Sequence, residues 1–112
     1  MRNAKEAVLV TVSFPEESQA LALAEKALQQ RQAACCQTIG PVRSQYRWQG
    51  QIESASEWLL LLKTHRIHLE ALEVLIVENH PYEVPEILVT AVEAGHAAYL
   101  DWVDQEATGS DR

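Results

Sequence analysis

The run Trp58-Leu59-Leu60-Leu61-Leu62 constrains this chain more than any other stretch. Consecutive apolar residues suit a buried helix or a strand with two apolar faces, and periodicity alone does not separate the two. The flanks decide. Gln49-Gly50 upstream reads as a hairpin turn, and Thr64 to Arg66 downstream reads as a break. On a strand, Trp58, Leu60 and Leu62 face one way, and Leu59 and Leu61 face the other. A sheet with helices on one face shelters only one of these sets. Leaving two leucines in water forfeits roughly 3–6 kcal/mol, against a domain stability of about 5–15 kcal/mol. The bare face therefore needs a cover. Another copy of the chain is the simpler one, and the chain's own last helix is the alternative.

The rest of the chain supplies elements around that strand. Val8, Val10, Val12 and Phe14 alternate, so Ala7 to Phe14 reads as a strand that Pro15 ends. Glu16, Glu17 and Ser18 suit a helix start. A helix follows from about Glu17 to Gln32, with Leu21, Ala24 and Leu28 inward and Ala20 and Ala27 beside them. Ala33 to Ile39 is extended, Gly40-Pro41 suggests a bend or bulge, and Ser44 to Trp48 resumes the strand. Ser56 to Thr64 is the return strand. Ile67 to Val77 is a second helix with Leu69, Leu72, Leu75 and Ile76 inward, stopped by Asn79 and Pro81. Ile87 to Val92 is a strand closed by Gly95. His96 to Glu106 is a last helix with Tyr99, Leu100, Trp102 and Val103 on one side. The order is β-α-β-β-α-β plus a terminal helix, an α+β fold of the ferredoxin-like, split βαβ kind with an antiparallel sheet. Residues 1–6 are a flank, 7–106 one domain, and 107–112 a loose tail.

Composition narrows the partners. The 112 residues are 47% apolar and 22% charged, as in one globular domain. The formal net charge of -7 argues against nucleic acid and against an anionic membrane surface. No apolar run approaches the ~20 residues that cross a bilayer, and the charged start at Arg2, Lys5 and Glu6 lacks a signal-peptide pattern. These features place the chain in the cytoplasm. Cys35 and Cys36 are adjacent, so on a strand they point to opposite faces and do not form a disulfide framework.

Several residues carry chemistry. The segment His80-Pro81-Tyr82-Glu83-Val84-Pro85-Glu86 holds polar groups between two prolines that fix the backbone. His80, Tyr82, Glu83 and Glu86 either converge on a ligand at low entropic cost or form a rigid, internally satisfied connection. His65 and His68 share a helix face as a metal pair, or are ordinary helix-end histidines. Lys63 closes over an anion, pairs with Glu57 or Glu86, or is a solvated strand cap. Cys35 is a soft metal ligand or redox thiol, or a small core residue. No phosphate-binding glycine loop, CxxC, nucleophile elbow or HExxH occurs, so the sequence gives no sign of an enzyme.

Tyr46-x-Trp48-x-Gly50-x-Ile52, Glu57, Lys63-Thr64, His80-Pro81-Tyr82 and Pro85-Glu86, with Ala33-Ala34-Cys35 and Tyr99-Leu100-x-Trp102, resemble the CutA family of divalent-cation-tolerance proteins. The match runs from about Val8 to Trp102. The resemblance implies a tight homotrimer of ferredoxin-like subunits. It also implies a link to Cu(II) or another divalent cation, and an intersubunit cleft like that of PII-type signal proteins. Carried over, the cleft holds Tyr46, Trp48, Lys63, His80, Tyr82 and Glu86, with His80 and Glu83 as candidate metal ligands. Val12 stands where some members carry a copper-serving cysteine, and Asn79 where some carry a second histidine. Three functions fit: a cation-tolerance module that binds copper, a PII-like sensor of small anions, or a ligand-free scaffold.

Overall fold

The computed structural model describes residues 1–109. Residues 110–112 of the expected 107–112 tail lie outside the described residues. In chain order the elements are β1 (Arg2–Asn3), β2 (Ala7–Phe14), α1 (Glu17–Gln29), β3 (Cys35–Trp48), β4 (Gln51–His65), α2 (Leu69–Glu78), β5 (Ile87–Ala91), β6 (Ala94–Gly95) and α3 (Ala97–Thr108). A single 3-10 turn at Arg66–His68 leads into α2. The apolar run is a strand, the middle of β4. The main sheet is antiparallel, in the order β3-β4-β2-β5. This is the split βαβ arrangement with a terminal helix. The N-terminal flank is not free of structure, because β1 pairs with β6.

Alternation divides the sheet into two faces. Val10 pairs with Leu62, and Val12 with Leu60. These four, with Phe14, meet Ala20, Leu23 and Ala27 of α1 and Leu72 and Ile76 of α2 in one buried cluster. Each large side chain removed from water there contributes roughly 1.5–3 kcal/mol. Gly40 belongs to this packing. It sits in the irregularity between Ile39 and Val42, where an added Cβ would lie 2.5 Å from the Trp58 ring.

The helices bury different stripes from those the spacing suggests. In α1, Ala20, Leu23, Ala24 and Ala27 face the sheet, while Leu21 and Leu28 are 51% and 42% exposed. Both stripes have helical period and share Ala24. The alanine-rich one wins because small side chains let the helix axis approach the sheet. In α3, Leu100, Val103 and Ala107 are buried, and Tyr99 and Trp102 stay half-exposed, stacked with centroids 5.7 Å apart. Ala107 and Thr108, expected in the tail, belong to this helix.

The second face of the sheet is partly covered by α3. Lys63, which alternates with Leu59 and Leu61, places Nζ 5.8 Å from the Tyr99 ring centroid. His65 Nε2 lies 3.7 Å from Asp104, His68 Nε2 donates to the Ala107 carbonyl, and Arg31 pairs with Glu106 at 3.3 Å. The helix therefore covers the end of the sheet where β4 finishes. Elsewhere on this face, Ile39 and Leu88 remain exposed.

β3 and β4 continue well past the end of β2. The last β2–β4 pair is Phe14 with Trp58, but the β3–β4 ladder runs on from Val42–Glu57 to Trp48–Gln51. At ~3.3 Å per residue this is an arm of roughly 20 Å. Its turn places Gln49 and Gly50 at φ of 49° and 78°, the paired positive values of a tight hairpin turn. The radius of gyration is 15.0 Å, against about 13 Å for a compact chain of this length. The arm makes the difference.

Candidate functional site at the root of the arm

The segment after α2 folds back onto the end of β2, beside the root of the arm. Pro81 forces His80 toward extended backbone, which turns its imidazole onto the sheet. The ring stacks on Phe14 with centroids 4.5 Å apart. Nε2 lies 2.6 Å from the Ser13 carbonyl and donates to it. Nδ1 accepts the Tyr82 backbone N–H at 3.0 Å. Tyr82 then lies 5.1 Å from the His80 ring, and its hydroxyl donates to Glu57 Oε2 at 3.4 Å. Its pKa is raised, first by burial and then by the Glu57 carboxylate and the hydrogen bond to it.

Glu57, expected only as a motif residue and a partner for Lys63, is a central group of the site. It is 8% exposed, on the same strand face as Leu59 and Leu61. Among the described residues it has no ion pair. A carboxylate so far out of water normally has a cation or several donors beside it. The signal was present in the sequence, since a glutamate two residues before Leu59 on an apolar face is out of place.

The expected cleft residues fall into two groups. Tyr46 and Trp48 lie on the arm, on the face shared with Glu57, at 46% and 61% exposure. Tyr82, His80 and the exposed Glu83 and Glu86 lie on or beside the segment at the arm's root. Lys63 is elsewhere. Six residues along β4 separate it from Glu57, roughly 20 Å at ~3.3 Å per residue. Its ammonium is over Tyr99 and pairs with neither Glu57 nor Glu86. Cys35 lies across from Lys63 in the ladder. Cys36 points to the core, its Sγ 4.0 Å from the Ala24 carbonyl; burial, then Cys35, pushes its thiol up to about 12.

These positions do not fit a divalent cation within one subunit. A metal needs a free imidazole lone pair, and both His80 nitrogens are engaged. Val12 is fully buried among the helices. Asn79 accepts from Lys26 and donates to the Leu75 carbonyl. His65 Nδ1 accepts from Ile67 N–H, and His68 is tied to α3, so that pair is structural. Among the described residues no three His, Cys, Asp or Glu side chains gather as a metal site.

Comparison with known proteins agrees with the topology. The family model for the CutA1 divalent ion tolerance protein matches residues 8–106. The divalent-cation tolerance protein CutA of Pectobacterium atrosepticum is 36% identical over 99 residues, which is 88% of this chain and 90% of that protein. The crystal structure of CutA from Xylella fastidiosa superimposes with a TM-score of 0.88 at 33% identity, covering 92% of this chain and 99% of that one. The CutA structure from Synechococcus elongatus gives 0.89 at 33% identity, covering 95% and 94%. With the sheet order, the arm and the His-Pro-Tyr segment in place, the chain belongs to the CutA1 family of divalent ion tolerance proteins.

Proposed function

We propose that the protein works as a homotrimer, a binding module whose ligand cleft lies between subunits at the root of the arm. The arm carries this reading. A two-stranded ribbon is marginal in water by itself, yet this one displays Tyr46, Trp48 and Ile52, the last 71% exposed. A second copy is the simplest cover. Three copies is the number that the resemblance noted in the sequence implies, and the arm by itself asks only for a neighbour. In that assembly Tyr46, Trp48, Tyr82 and Glu86 line the cleft, and Lys63 reaches it only from a different subunit. The unpaired cysteines suit a reducing cytosol. Light scattering after size exclusion, with and without Cu(II), tests the assembly. The expected mass is three times the 12.6 kDa chain. A folded single-chain species at low micromolar concentration would overturn the reading.

Divalent cations are the ligand class that family membership favours, and copper heads the affinity order for imidazole and carboxylate donors. The bonds already made by His80 predict that His80→Ala leaves a calorimetric Cu(II) isotherm unchanged; a lost binding event would return His80 to the metal site. A second reading, a PII-like sensor of small anions, is favoured by Lys63 on the incompletely covered face. A thermal shift with anionic metabolites and none with metals would support it.

A further inference from the structure

The charged groups of the arm and of its root are left incomplete in one subunit. Glu57 is nine-tenths buried and has one long hydrogen bond, from Tyr82. That bond uses Oε2. The other oxygen is not sealed in, since Gln32 Oε1 is the one fully buried, unpartnered side-chain polar atom among the described residues. Arg43 and Arg47 lie on the arm, exposed, on the face opposite Tyr46 and Trp48. Neither has an ion-pair partner among the described residues. A desolvated carboxylate without a cation and an unsupported ribbon carrying two free guanidiniums are complementary features of the same chain. They do not meet within it, because Arg43 and Arg47 lie on the face of the ladder opposite Glu57.

We infer that the Glu57 carboxylate is completed in trans by the Arg47 guanidinium of a neighbouring copy's arm. Arg47 is chosen over Arg43 by reach, being four residues nearer the tip. Guanidinium presents paired donors to a carboxylate, so the contact fixes the register of the arm as well as its charge balance. It also sets the cleft's chemistry. Tyr82 still donates its hydroxyl to the carboxylate, and with the Arg47 face of the arm turned to the neighbour, Tyr46 and Trp48 lie on the arm's other face. The inference rests on the assembly reading above and adds the residue that the second copy contributes.

The test is a double-mutant cycle on the intact protein, read as the concentration at which the assembly dissociates by mass photometry. Glu57→Gln and Arg47→Gln are each expected to raise that concentration about tenfold or more. The double variant should be no weaker than the worse single one, because the second loss removes a contact already broken. Multiplying losses, or an unchanged Glu57→Gln, overturn the contact. Non-additivity with Arg43→Gln in place of Arg47→Gln overturns the choice of arginine. Arg47→Lys gives a second measurement that needs no destabilised protein. Zero-length carbodiimide treatment of mixed isotope-labelled and unlabelled chains should join position 47 to Glu57 between copies, and absence of that intermolecular peptide counts against the contact. A wild type that runs as a single chain removes the assembly reading itself. An assembled wild type whose losses multiply removes only the Arg47 contact.

Discussion

The four-stranded half of the molecule and the hairpin arm are built from the same two strands but satisfy their apolar residues differently. Where β2 flanks β4, Leu60 and Leu62 are fully buried between strand neighbours and helices. Where β2 has ended, Ile52 and Trp48 are mostly exposed on the same β3–β4 ladder. The backbone bonds are alike in both halves. The difference lies in what stands above the face, so hydrogen bonding sets the strands and burial decides which part of them is stable alone. Glu57 and Gly40 sit close to the boundary, one chain position and one bulge from Trp58.

The largest expected effect tests the buried half. Leu60→Ala should cost about 2–5 kcal/mol, as core truncations with little room to collapse do, read as a lower midpoint in denaturant unfolding. Next comes the boundary. Gly40→Ala forces a methyl into the Trp58 ring and should cost about 1–3 kcal/mol, with a changed Trp fluorescence as its mark. A normal midpoint there would show that the two halves are not packed together through Trp58.

The arm predicts the opposite pattern. Trp48→Ser should leave far-ultraviolet dichroism unchanged, and at dilutions where only single chains exist it should shift stability by about 0.5 kcal/mol or less, as for a surface site. Its effect should appear in the assembly mass. Loss of the fold instead would place the arm within the subunit's own core. The smallest effect concerns Cys36. Its folded thiol is raised to about 12 from 9.0, so the unfolded chain releases this proton first. The stability it contributes is present below pH 9 and is lost as pH rises toward 12. Cys36→Ala should flatten that part of the pH profile relative to wild type. Iodoacetamide at pH 8 should label Cys35 before Cys36.

Much of this was legible residue by residue. Alternation in Val8 to Phe14 and in Trp58 to Leu62 gave strands and their faces, and the Gly40-Pro41 interruption gave the bulge. The helix stripes were less legible. Leu21, Ala24 and Leu28 have as good a period as Ala20, Leu23 and Ala27, and only the approach of α1 to the sheet chose between them. At the site, the prolines around Tyr82 announced a rigid segment. That His80 spends both nitrogens on backbone groups depended on where β2 ends, whereas the six-residue spacing that keeps Lys63 from Glu57 along one strand was already in the sequence.

The sequence by itself determined the order of elements, the two-faced central strand and the family, because period and turn chemistry act over a few neighbouring residues. Only the tertiary structure decided that β2 stops at Phe14 while β3 and β4 run on, that α3 covers one end of the second face, and that Glu57 is buried without a cation. Those facts depend on relative strand lengths and on contacts between residues distant in sequence, where desolvation is set by everything packed nearby and not by the residue's own type.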